Sequence, residues 1–158
     1  MRVFFEWELD NHIPEGKNVI SKDMSLLFEP SIYISAFSIY PYHWSFELTT
    51  VMVSPTRFLI RFGMCNLRFV NYTSATLNIP CSSKGKVYAE FDAPPLGDGI
   101  YYNKHYHFLE RAFFDESKGL LAIGAIYTAA QKCIEIAHNQ FVSIGNNGVL
   151  LAMYIQLG

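Results

Sequence analysis

The residues best suited to chemistry stand in the stretch Lys104-His105-Tyr106-His107-Phe108-Leu109-Glu110. On a β-strand, side chains two residues apart share a face, so His105 and His107 can converge on one point. Two imidazoles and a carboxylate make a good divalent-metal site. Glu110, however, lies three residues beyond His107, and an odd offset sends it to the opposite face. Arg111, four residues beyond His107 and on its face, would repel a cation. A helix over 102–113 brings His107 and Glu110 together, with Tyr102, Tyr106, Leu109 and Phe113 as an apolar stripe. It also turns the two histidines about 200° apart. Each geometry loses one ligand, so the pair reads as ordinary strand lining and no metal is expected.

Other catalytic signatures are missing. The chain has no G-x-S-x-G, no P-loop and no G-x-G-x-x-G. Cys133 and His138 are the available thiol–imidazole pair, but both fall in a hairpin pattern where a buried thiol is expected. Glu135 alternates with Ile134 and Ile136, as on a half-exposed strand. The expectation is a protein without catalysis and without a cofactor. Three cysteines, Cys65, Cys81 and Cys133, are odd in number and scattered, which fits neither a disulfide framework nor a zinc motif. Free thiols suit a reducing cytoplasm, and there the Asn71-Tyr72-Thr73 sequon has no role.

The elements that would carry these residues are strands. In residues 2–10, Val3, Phe5, Trp7 and Leu9 share one side, while Arg2, Phe4, Glu6, Glu8 and Asp10 share the other. This is the period of a half-buried antiparallel strand. Residues 10–18, with Pro14 and Gly16, read as a loop, and Ser21 is placed to cap a short helical turn over 21–28. The runs IYISAFSI, FELTTVMV, RFLIRFGM, LRFVNYTSATLNI and KVYAEF, separated by turn formers, predict successive strands. In RFLIRF the alternation puts Arg57 and Arg61 on a solvated face. DAPPLGDG, residues 92–99, excludes regular structure. Beyond it, turns near Ser117, His138 and Asn147 predict a consecutive antiparallel meander over 108–157. Long helices alternating with strands are absent, which argues against a doubly wound fold. The expected architecture is mainly β or α+β: a single domain, residues 1–158, built on a curved antiparallel sheet or partial barrel with a C-terminal β-meander.

Composition agrees. Hydrophobic residues are 51% and charged residues 16%, enough apolar surface to fold rather than stay disordered. The N-terminal MRVFFEWELDNH breaks the apolar run of a signal peptide with acids. No stretch approaches the roughly 20 apolar residues of a membrane helix. Arg57, Arg61, Arg68, Lys84 and Lys86 face only Glu47 within residues 31–86, but they are spread out rather than stacked into a stripe. Neither a nucleic acid nor a membrane is an expected partner.

Two resemblances bear on function. Gly99, His105 and His107 match the opening of a cupin motif, although Glu110 is displaced and the second cupin motif, with its third histidine, is missing. This supplies the alternative reading, a small-ligand- or metal-binding β-barrel using His105 and His107. The run FFDESKGLLAIG followed by CIEIAHNQFVSIGNNGVLLAMYIQL resembles the tail of bacterial toxin-immunity proteins, including those of contact-dependent growth inhibition. That likeness spans residues 108–157 and lies in strand-and-turn patterning. It implies a cytoplasmic protein that binds a cognate toxin domain, in many cases a nuclease, and blocks it stoichiometrically. Carboxylates and rigid rings suit a basic cleft. The candidate contact residues are Glu6, Glu8 and Asp10 on the first strand, and Asp92, Asp98, Tyr101 and Tyr102 in or beside the proline-glycine loop.

Overall fold

The computed structural model describes residues 3–31, 46–66, 71–72, 76–93 and 112–158. Strands fill most of them. Before the proline-glycine stretch come β1 (Val3–Leu9), β2 (Gly16–Ile20), β3 (Ser25–Pro30), β4 (Phe46–Ser54), β5 (Arg57–Asn66), β6 (Asn71–Tyr72) and β7 (Ser82–Phe91). After it come β8 (Ala112–Asp115), β9 (Leu120–Gly124), β10 (Lys132–Ala137), β11 (Gln140–Ile144) and β12 (Leu150–Gln156). One hydrogen-bonded path runs β2-β3-β5-β7-β10-β11-β12-β9-β8-β6, with β1 added to β7 and β4 to β5. Among the described residues its ends, β2 and β6, do not pair with each other, so the curved sheet stays open. Most ladders are antiparallel; β7–β10 and β6–β8 are parallel, which makes the sheet mixed.

β7 joins the two halves. Its residues 82–84 pair with β10, and residues 85–91 pair with β1. Residues 88–90 pair with β5 as well. Phe5, Leu26, Ile60, Val87 and Phe91 from the N-terminal strands pack in one cluster with Ile123, Ile134, Val142, Met153 and Ile155. Gly85 permits the join. A Cβ there would collide with the Glu8 carbonyl oxygen and sit 3.1 Å from Ile134 Cγ2.

The C-terminal turns form where the sequence puts them. Residues 116–119 link β8 to β9, 138–139 link β10 to β11, and 145–149 link β11 to β12. Gly119, Asn139, Asn147 and Gly148 all take positive φ, the conformation that favours these residue types. The expected consecutive meander needs correction, however. β9 pairs with β12, not with β10, giving the order β10-β11-β12-β9, a Greek key. The connection 125–131 is too long for a tight hairpin and passes the ends of the intervening strands. Ala125 N–H donates to the Leu151 carbonyl, and Gln131 N–H to the Ile144 carbonyl.

This half is buried on both faces. Leu77 and Ile79 lie over the face opposite the main core, against Leu120, Cys133, Phe141 and Tyr154. Asp115 and Lys118 hold that strap. The Asp115 carboxylate accepts from Leu77 N–H at 3.0 Å, and Lys118 Nζ donates to the Leu77 carbonyl at 2.8 Å. Two covered faces explain why LLAIG and QFVSI are buried throughout rather than alternately.

Three further expectations are corrected. Residues 21–28 form no helix: Ser21–Met24 is a hairpin turn into β3. Ser21 N–H donates to the Ser25 carbonyl, and its hydroxyl accepts from Ser25 N–H and donates to the Ser25 carbonyl and the Asp23 carboxylate. The loop after β1 stops at Glu15, because Gly16 already pairs with Pro30. Residues 76–79 of the expected strand LRFVNYTSATLNI are the irregular strap instead. The IYISAFSI run lies outside the described residues.

Candidate functional site

β1 positions the first group of candidate residues. Its antiparallel register with β7 sets Glu6 opposite Tyr88 and Glu8 opposite Lys86 on the face away from the core. On the far side of β7, Arg57 stands opposite Glu90 and Leu59 opposite Tyr88. The acids therefore lie in a charged, three-strand-wide face.

Two of the three acids, Glu8 and Asp10, reach one step diagonally across the ladder. Glu8 Oε1 accepts from the Tyr88 hydroxyl at 2.7 Å, and Asp10 Oδ2 meets Lys86 Nζ at 2.6 Å. Arg57 lies 3.8 Å over the Tyr88 ring, and its Nε makes a close charge contact of 2.7 Å with Glu90, not an aligned hydrogen bond. The Lys86 hydrogen bond, with help from His12 N–H, holds the Asp10 carboxyl down at about 2, and Asp10 in turn raises Lys86. Burial, then the bond to Glu8, pushes the Tyr88 phenol up. The same diagonal step from Glu6 leads to Glu90, a like charge already held by Arg57. Among the described residues the Glu6 side chain has neither an ion pair nor a hydrogen bond.

The other face of β1 corrects the expected burial of Trp7 and Leu9. Phe5 is in the core at 2% exposure, but Trp7 is 39% and Leu9 61% exposed, because the strand runs out past the core. Phe4, on the acidic side, is also 39% exposed. Lys132 Nζ stands 5.4 Å from the Trp7 ring centroid and donates to Ser83 Oγ.

β1 is also an edge strand among the described residues, since it pairs only with β7. Asp10 N–H donates to the Lys84 carbonyl. Antiparallel ladders alternate, so even-numbered residues turn their backbone groups toward β7 and odd-numbered residues turn theirs outward. Gly148 lies against the outward groups of Phe5, where a Cβ would come within 2.9 Å of the carbonyl oxygen. The outward N–H and C=O of Trp7 and Leu9 lie beyond that contact.

Asp92 is exposed just past the Phe91 end of the ladder, whereas Asp10 lies past the other end. At about 3.4 Å per residue these acids, eight positions apart in the register, are roughly 27 Å apart along the strands, so they do not form one patch. Asp98, Tyr101, Tyr102, His105, His107 and Glu110 lie outside the described residues. Tyr88 and Arg57 completed the charged face without being candidates. Their only signal was alternation within KVYAEF and RFLIRF, which does not reveal which strands pair.

No group of three histidine, cysteine or carboxylate side chains among the described residues could hold a metal ion. A cleft between loop 12–14 and Leu59, Gly85, Lys86 and Ile136 has about 20 Å³ of free space. That suits one water, whereas small-molecule sites are typically hundreds of cubic ångströms. Cys133 is buried with its thiol pushed up by desolvation, while His138 is exposed on the hairpin turn. No described helix is long and apolar enough to cross a membrane. No protein-family model, curated protein or solved structure matches this chain.

Proposed function

We propose that this protein is an immunity protein, which binds a cognate toxin domain and neutralises it by stoichiometric contact through the β1 side of the molecule. One observation carries the reading: the edge strand β1 displays Phe4, Trp7 and Leu9 beside Glu6 and Glu8, all exposed. Large rings and leucine in the open are the side chains that supply anchor area at protein interfaces. Carboxylates beside them favour a basic partner such as a nuclease cleft and speed encounter. The likeness of residues 108–157 to immunity-protein tails supports the same reading. In the proposed division of labour that segment supplies the rigid half of the fold, and β1 supplies the contact.

Co-expression with a toxin domain, sought among the genes beside this one, is the test. Cells are expected to survive, and Trp7→Ala is expected to weaken the complex by about 2 kcal/mol. Death of cells that contain folded, soluble protein would sink the immunity reading. Survival with full-strength binding by Trp7→Ala and Glu6→Ala/Glu8→Ala variants would move the contact off β1, toward Asp92, Asp98, Tyr101 and Tyr102.

A further inference from the structure

We infer that the outer edge of β1 at Trp7 and Leu9 takes an extended, basic segment of a protein partner as an added antiparallel strand. This deepens the immunity reading and rests on it for the partner's identity. The geometry starts from the alternation of the β1–β7 ladder, which turns the backbone of Trp7 and Leu9 outward. Exposed edges of this kind template strand addition, with main-chain hydrogen bonds supplying attraction and alternate side chains supplying choice. Gly148 closes the edge at Phe5, which sets one boundary of the docking stretch.

Charge selects the occupant. A second copy of this chain is disfavoured, because its open backbone groups also belong to odd-numbered residues. An antiparallel copy must pair odd with odd, and so sets even against even. Glu6 and Glu8 then meet Glu6, Glu8 or Asp10 in the central registers, and carboxylates directly opposite one another repel. Lysines or arginines at alternate positions of an incoming strand would instead stand opposite Glu6 and Glu8. Asp10 is already matched by Lys86, so the unmet demand falls on those two residues. The intervening side chains of the incoming strand would lie on the side of Trp7 and Leu9, where apolar groups fit.

The test has two arms on the full chain. In the first, the protein is titrated at low salt with a synthetic peptide alternating lysine and valine, and with its glutamate counterpart. Slowed amide exchange at Trp7 and Leu9 with the lysine peptide alone is expected. Equal effects of both peptides, or none of either, would overturn the inference. So would a β1-linked dimer of the protein in light scattering, because that assigns the edge to a second copy. In the second arm, Leu9→Pro removes an outward N–H while leaving the ladder to β7 intact, as edge strands tolerate. It is expected to weaken binding of the adjacently encoded toxin domain by about tenfold with little change in melting temperature. Toxin binding at parental strength by Leu9→Pro and by Glu6→Lys/Glu8→Lys would overturn strand addition and leave immunity standing. Protection by the lysine peptide with no toxin binding would support strand addition and remove the immunity reading.

Discussion

β11 and β1 lie in the same sheet and were built to different standards. Every residue of β11 is buried, and the same holds for β9. In β1, Phe5 is the one buried side chain from Phe4 to Leu9. The C-terminal strands sit between the main core and the strap at Leu77, so both of their faces contribute to stability. The first strand has its core contact at one end and solvent at the other. Stability is concentrated where side chains have no freedom to contact a partner, and the accessible apolar groups stand where they contribute little to the fold.

Truncation in each region is the strongest way to break that contrast. Ile134→Ala and Met153→Ala empty sites with no solvent exposure, and each is expected to cost about 3 kcal/mol in urea unfolding. Trp7→Ala removes a larger side chain yet is expected to cost about 1 kcal/mol, because the ring is already partly in water. Equal losses at Trp7 and Met153 would show that β1 belongs to the rigid half after all.

Gly85 is where the two regions touch, and its substitution is expected to have the next largest effect. Gly85→Ala drives a methyl group into the Glu8 carbonyl, a backbone atom that can yield only if β1 moves. A loss of about 2 kcal/mol is expected, with faster amide exchange along β1 and little change in β10 to β12. Uniformly faster exchange would mean that the halves unfold together and that the contrast lies only on the surface.

The same separation decides what could be read from the sequence. The hairpins at Asn139 and Asn147 were legible because turn residues act locally. The insertion of β12 beside β9 was not, since it depends on pairing between residues about thirty apart. Trp7 read as core because alternation reports a face but not how far the core extends beneath it. Glu6, Glu8 and Asp10 were correctly placed on one face, yet their different situations depend on Tyr88, Lys86 and Glu90, which only the β1–β7 register brings near. Asp115 stands at the turn near Ser117, and its longer-range role at Leu77 was invisible because the strap looked like a strand.

Asp115 gives a pH test confined to the rigid half. Its carboxyl is held below the ordinary 3.8 first by the Ser117 hydroxyl and then by Leu77 N–H. A folded value below the unfolded one means that this stabilisation is fully present above about 3.8 and is lost as pH falls through the folded value. Asp115→Asn is expected to lower the melting temperature at pH 7 by about 5 °C, and the gap to the parent should narrow below pH 3.8. A gap unchanged down to pH 2.5 would show that the carboxylate's charge contributes nothing to holding the strap.

The smallest effect is expected at Asp10 and Lys86, and it separates stability from encounter. The Asp10 carboxyl lies at about 2, well under 3.8, so any stabilisation from the pair is present above 3.8 and lost toward pH 2. Both side chains are partly exposed, at 22% and 36%, which leaves the pair open to screening. A double-mutant cycle of Asp10→Asn and Lys86→Ala is expected to show a coupling below about 1 °C in melting temperature, vanishing in 1 M salt where the screening length is about 3 Å. Binding should respond differently. Lys86→Ala removes the cation that balances the acidic end of β1, so association with a basic partner is expected to quicken at low salt while melting stays unchanged. The added rate should disappear as salt rises. A rate identical to the parent at every ionic strength would place the β1 acids outside the path by which a partner arrives, and Trp7 and Leu9 would then have to act as anchors without electrostatic guidance.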